Sequence, residues 1–124
     1  MSIDKPEVDF PGGPAPAELQ IRDIWEGDGE VAKAGDRVKV HYVGVAFSTG
    51  EEFDASWNRG TPLEFQLGAG QVIVGWDQGV QGMKVGGRRE LIIPAHLAYG
   101  ERGAGGGRIA PGETLIFVCD LVSV

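Results

Sequence analysis

Groups that ionise or ligate near neutrality are scarce in this chain. Cys119 is the only cysteine, so no disulfide can form within the chain, and the usage fits a reducing compartment. His41 and His96 are the only histidines. Two isolated histidines make neither a zinc site nor a Ser-His-Asp triad. Positive charge is also short: 11 Lys and Arg stand against 18 Asp and Glu, for a net charge of −7 and a pI near 4.7. That balance argues against nucleic acid or an anionic membrane as the main partner. No apolar run approaches the length of about 18 residues that spans a bilayer. The first residues do not resemble a secretory signal. A soluble, cytoplasmic protein is the expectation.

The glycine-rich stretches do not supply the missing chemistry. Gly68, Ala69 and Gly70 with Gly75 resemble a dinucleotide fingerprint, but the last glycine comes two positions too late and no βαβ context surrounds it. The run at 103–107 lacks the Lys-Ser/Thr of a phosphate loop and reads as a surface loop. Glu51, Glu52 and Asp54 could suggest a calcium loop, yet a solvated hairpin rim explains the glutamates equally well. Cys119 shares a strand face with Leu115, Phe117 and Leu121, which marks a buried, inert thiol. Nothing here points to a bound metal or to any other cofactor.

At 124 residues the chain is one domain with one core. Residues 1–17, with Pro6, Pro11, Pro14 and Pro16, lack any periodicity and read as a flexible N-terminal arm dispensable for function. Residues 18–124 form the domain proper and are mostly β. Alternation runs from Leu19 to Ile24, from Arg37 to Tyr42 and from Leu63 to Leu67. The segment Leu115–Leu121 is more heavily apolar, which predicts a central strand. Ser48, Thr49 and Gly50 mark a hairpin turn before Phe53, and Gly86 with Gly87 marks another turn. One helix is expected, because Val72, Trp76, Val80 and Met83 fall on one helical face. Gly75, Gly79 and Gly82 weaken it by about 1 kcal/mol each relative to alanine, so it must be short and held by packing. The class is α+β, with an antiparallel sheet of about five strands half-wrapped around one short helix.

What the chain does have is apolar, aromatic-centred clusters beside single polar groups. Tyr42 is followed by Phe53 and Asp54, Val72 and Ile73 precede Trp76, and Tyr99 in a turn is followed by Phe117. Phe65 reads as plain core. An aromatic pocket without a reactive side chain suits a ligand that is itself apolar and needs no bond broken. Proline fits, and an apolar pocket can accelerate the slow rotation of the bond that precedes it.

Taken in order, Val40 to Gly44, Glu52 to Ser56, Gln71 to Trp76, Ala98 to Gly100 and Thr114 to Phe117 resemble the FKBP-type peptidyl-prolyl cis–trans isomerases, from about Leu19 to the end of the chain. The resemblance implies a sheet half-wrapped around a short helix, with the site between them. It implies that Trp76 floors the pocket under the prolyl ring, and that Tyr42, Phe53, Val72, Ile73 and Phe117 wall it. The Ile73 backbone N–H and the Tyr99 hydroxyl would bind ligand carbonyls. Asp54, paired with Arg59, would be the polar group at the edge, and Ile109 would cover the site. Asp54, Tyr99 and Trp76 are the expected catalytic group. Leu63 stands where many members carry an aromatic residue, Gln71 replaces an acidic one, and the 101–108 loop is one residue longer than the short family pattern. The implied partners are proline-containing polypeptides and macrolides of the tacrolimus and rapamycin type, bound by a monomer. The alternative is a binding module that uses the same pocket with little catalysis.

Overall fold

A computed structural model describes residues 4–8, 13–104 and 108–124. Residues 1–3 and 9–12 of the arm, and the centre of the glycine run at 105–107, lie outside the described residues. Among the described residues the strands are β1 (Gln20–Trp25), β2 (Arg37–Ala46), β3 (Glu52–Ala55), β4 (Leu63–Gln66), β5 (Arg88–Ile93) and β6 (Leu115–Ser123), with one α-helix, α1 (Val74–Gly79). They form a six-stranded antiparallel sheet in the order β1-β5-β6-β2-β3, with β4 pairing a second stretch of β2. The α+β architecture expected from the pattern is therefore present, with one strand more than expected.

β6 is central, flanked by β5 and β2. Its apolar composition follows from burial on both faces. Leu115, Phe117, Cys119 and Leu121 join the main core with α1, while Ile116 belongs to a second cluster on the opposite face. The same division splits β2. Val38, Val40 and Tyr42 face the main core, and Val43 and Val45 join Phe47, Ala55 and Ile116 behind the sheet. Trp57, Ile92 and Val8 of the arm pack against this second cluster.

The extra strand is β5. It follows the Gly86–Gly87 turn and opens on three charged residues, Arg88, Arg89 and Glu90. In the fold Arg88 donates to Asp120 at 2.7 Å and Arg89 to Asp23 at 2.6 Å, so both cations are carried into the sheet already paired. Leu91 and Ile93 then bury completely beneath α1.

The helix is six residues long and so shorter than the 72–83 periodicity predicts. Val72 and Met83 lie in the flanking loops, yet Trp76, Val80 and Met83 all bury. The glycines that weaken the helix let it approach β5 closely. A Cβ on Gly75 would sit 2.5 Å from Ile93 Cγ2, and one on Gly79 would sit 2.7 Å from Leu91 Cδ2. Close packing, not propensity, holds this turn of helix in place.

Candidate active site

Between α1 and the sheet lies a cavity of about 230 Å³. Tyr42 from β2, Phe53 and Asp54 from β3, Leu63 from β4, Trp76 from α1 and Phe117 from β6 line it. Gln71, Val72 and Ile73 from the loop before α1, and Tyr99 from the loop after β5, complete the lining.

Trp76 is the floor. Tyr42 and Phe117 meet its ring edge-on at centroid distances of 4.9 and 5.3 Å, and Phe65 leans on it at 5.7 Å. Phe53 stands perpendicular to Phe117 at 5.5 Å. Edge-to-face contacts of this kind lock aromatic walls without closing the space between them. The Trp76 ring is only 3% exposed, and its Nε1–H is buried without a partner among the described residues. A more open tryptophan would be expected from its place at the end of an apolar face. Here the walls cover it nearly to its edges.

Two consecutive residues, Phe53 and Asp54, both face this cavity, although neighbours on a strand normally point to opposite sides. The register explains it. Gly44 pairs with Asp54 and Val45 with Glu52, so Phe53 is the extra residue of a β-bulge. Gly44 is equally specific. A Cβ there would lie 2.6 Å from Phe53 Cζ and 2.7 Å from Phe117 Cε1, so only glycine lets these two walls meet.

The polar edge is a closed set of three groups. The Tyr42 hydroxyl donates to Asp54 Oδ2 in a short hydrogen bond. Arg59 Nη1 donates to Asp54 Oδ1 at 2.7 Å, and Arg59 Nη2 donates to the Tyr42 hydroxyl at 2.8 Å. The guanidinium also lies 5.6 Å from the Tyr42 ring centroid. Burial, followed by the hydrogen bond to Asp54, pushes the Tyr42 phenol up to about 12. Burial opposes ionisation of Asp54, but the hydrogen bonds from Tyr42 and Arg59 outweigh it and hold the carboxyl below its usual range. Asp54 is thus an anion whose oxygens are both engaged. Arg59 does not line the cavity but stands behind Asp54.

Donors without a partner stand at the rim. The Tyr99 hydroxyl and the Ile73 N–H have no acceptor among the described residues, although the Ile73 carbonyl accepts from Trp76 and Asp77. Burial raises the Tyr99 phenol, with Asp54 adding to the effect, so it stays protonated and able to donate.

Ile109 sits apart from the main cavity. It lines an adjoining one of about 260 Å³ together with Phe53, Asp54, Tyr99, Ala104 and Arg108. Paired backbone hydrogen bonds with Ala104, each 3.0 Å, hold it there. Gln71, Ala104 and Arg108 were not among the expected site residues. Gln71 adjoins Val72, and its Oε1 accepts from the Gln66 N–H at 2.8 Å, which ties the loop to β4. No pattern marks Ala104 or Arg108 before the loop is folded.

Among the described residues no side chain in the cavity is poised for covalent chemistry. Ser56 is fully buried, and its Oγ accepts from the Tyr42 N–H at 2.7 Å. Its other neighbour, His41 Nδ1 at 2.8 Å, lies behind the sheet with its ring stacked on Trp57. Cys119 is buried, which raises its thiol well above the usual range.

Known proteins resemble this chain in sequence and in fold. The family model for "FKBP-type peptidyl-prolyl cis-trans isomerase" matches residues 29–122. An FK506-binding protein from Streptomyces anulatus is 87% identical over 124 residues, covering 100% of both chains. The peptidyl-prolyl cis-trans isomerase FPR2 of Saccharomyces cerevisiae is 55% identical over 93 residues, covering 75% of this chain and 68% of its own. Among solved structures, that of AtFKBP13 superposes with a TM-score of 0.79 at 44% identity, covering 88% of this chain and 94% of that one. On its sequence and its fold, this chain belongs to the family of FKBP-type peptidyl-prolyl cis–trans isomerases.

Proposed function

We propose that this protein catalyses rotation about X-Pro peptide bonds in polypeptides, and so assists folding, without forming any covalent intermediate. The observation that supports this most is the cavity itself: an aromatic box of prolyl size with two unpaired hydrogen-bond donors, the Tyr99 hydroxyl and the Ile73 N–H, at its rim.

The barrier to amide rotation is about 18–20 kcal/mol and arises from C–N resonance. The uncatalysed step takes roughly 10–100 s. A turnover of about 10³ per second requires lowering the barrier by about 7 kcal/mol, at 1.36 kcal/mol per tenfold. The planar amide is more polar and better hydrated than the twisted one, so a pocket that excludes water disfavours the planar form. Trp76 and the walls hold the prolyl ring. The Ile73 N–H and the Tyr99 hydroxyl hold neighbouring carbonyls, and the bond between them is left to rotate. Asp54 acts as a positioning group, because both of its oxygens are spent on Tyr42 and Arg59.

The same pocket accounts for a macrolide of the tacrolimus or rapamycin type, whose pipecolyl ring takes the place of proline. The reading further places residues 18–124 as the catalytic unit, acting as a monomer in the cytoplasm. The single buried cysteine suits that compartment. A protease-coupled isomerisation assay on a proline peptide tests the proposal. The expected result is acceleration that tacrolimus abolishes. Binding of that peptide without acceleration would instead make the protein a binding module.

A further inference from the structure

Resting on the isomerase reading, we propose that Lys5 in the N-terminal arm is a positioning residue for the β3 wall of the site. Among the described residues β3 is a four-residue edge strand that pairs only with β2, and its bulge falls on Phe53. A short, bulged edge strand is a weak frame for two pocket residues. The arm supplies side-chain contacts to it. Lys5 Nζ lies 2.8 Å from Glu52 Oε1 and donates to Asn58 Oδ1 at 3.0 Å. Asn58 Nδ2 in turn donates to Glu52 Oε2 at 3.0 Å. The three groups close a ring around one ammonium.

That ring ties the two ends of a single segment. Glu52 immediately precedes Phe53 and Asp54, and Asn58 immediately precedes Arg59. Phe53 and Asp54 lie between the two residues fastened by Lys5, and Arg59 directly follows the second of them. Lys5 also holds the Glu52 carboxyl below its usual range. The arm presents Lys5 because it is anchored on either side. Arg88 Nη2 donates to the Asp4 carbonyl at 2.8 Å, and Val8 packs against the apolar cluster behind the sheet. The arm, which the sequence marks as dispensable, thereby braces the strand through the Lys5 side chain.

The test uses the full chain and measures isomerisation of a proline peptide together with the Kd for tacrolimus. Lys5→Ala is expected to raise KM about three- to fivefold, with kcat changed less than about twofold, which is the range of a half-exposed ion pair. The tacrolimus Kd should weaken by the same factor. Lys5→Arg should restore most of both, and Lys33→Ala, which removes an equal charge elsewhere on the surface, should change neither. Glu52→Ala should mimic Lys5→Ala, and the double variant should be no worse than either single one. Unchanged KM and Kd in Lys5→Ala overturn the proposal, as do losses that multiply in the double variant or a lowered melting temperature with KM intact. If the wild type binds tacrolimus but isomerises nothing, the isomerase reading falls, while the Kd series still decides the role of Lys5.

Discussion

Two strands wall the same pocket in different ways. β6 supplies Phe117 from the centre of the sheet, paired on both sides and buried on both faces. β3 supplies Phe53 and Asp54 from an edge, through a bulge, with one paired side. The central strand gives the pocket a fixed back wall. The edge strand delivers what regular alternation forbids, an aromatic and a carboxylate side by side. Precision at the back and irregular geometry at the front are obtained from one sheet, and the irregular part depends on side-chain contacts to stay in place.

The sharpest way to break the comparison is to truncate both aromatic walls. Phe117→Ala should cost about 3–5 kcal/mol of stability, since it empties a site enclosed by Tyr42, Phe53 and Trp76. Phe53→Ala should cost clearly less, about 2 kcal/mol, because an edge strand can collapse towards the gap. Denaturant melts of the two variants measure this, and equal losses would erase the distinction between the walls.

Gly44→Ala attacks the junction of the two strands. The added methyl overlaps both phenylalanines, so a loss of about 1–3 kcal/mol is expected, with tacrolimus affinity falling at least about tenfold. If affinity is kept while stability drops, the walls re-pack independently of each other.

Smaller effects are expected at the rim. Asp54→Val removes the anion that holds Tyr42 and Arg59, and should lower kcat/KM about tenfold with little change in melting temperature. Tyr99→Phe removes one hydrogen bond to the ligand and should lower kcat/KM about three- to tenfold, again without unfolding. Matching losses of activity and stability in both variants would make these residues structural.

The smallest expected effect is that of pH. The depressed Asp54 stays ionised well below neutrality, so its contribution is present above its unfolded pKa and fades only as acid titrates the folded group. Tyr42, raised to about 12, keeps its proton below its unfolded pKa of 10.0 and contributes until pH rises through the folded value. Burial lowers the pKa of His41, which lies behind the sheet. Hence kcat/KM should be nearly flat from about pH 5.5 to 8.5. A bell-shaped profile that His96→Ala abolishes would place an acid–base group in the site.

Much of the fold was legible because burial leaves a period in the sequence. The alternation of Val38, Val40 and Tyr42 and the apolar run of Leu115–Leu121 both followed from the faces those strands bury. β5 was hidden because its two arginines enter the sheet paired, and the partners Asp23 and Asp120 are distant in the chain. The lining residues were legible mainly through the ordered set of short motifs. Ala104 and Arg108 were not, since a loop brings them to Phe53 only after folding.

By itself the sequence determined the class of fold and the aromatic character of the pocket, because these depend on which residues are present and on their period. Only the tertiary structure decided that Phe53 and Asp54 face the same way, that Gly44, Gly75 and Gly79 are required by close approach, and that the described part of the arm is fastened to the sheet. Each of these rests on register or on contact between distant segments. Local preference along a chain carries neither.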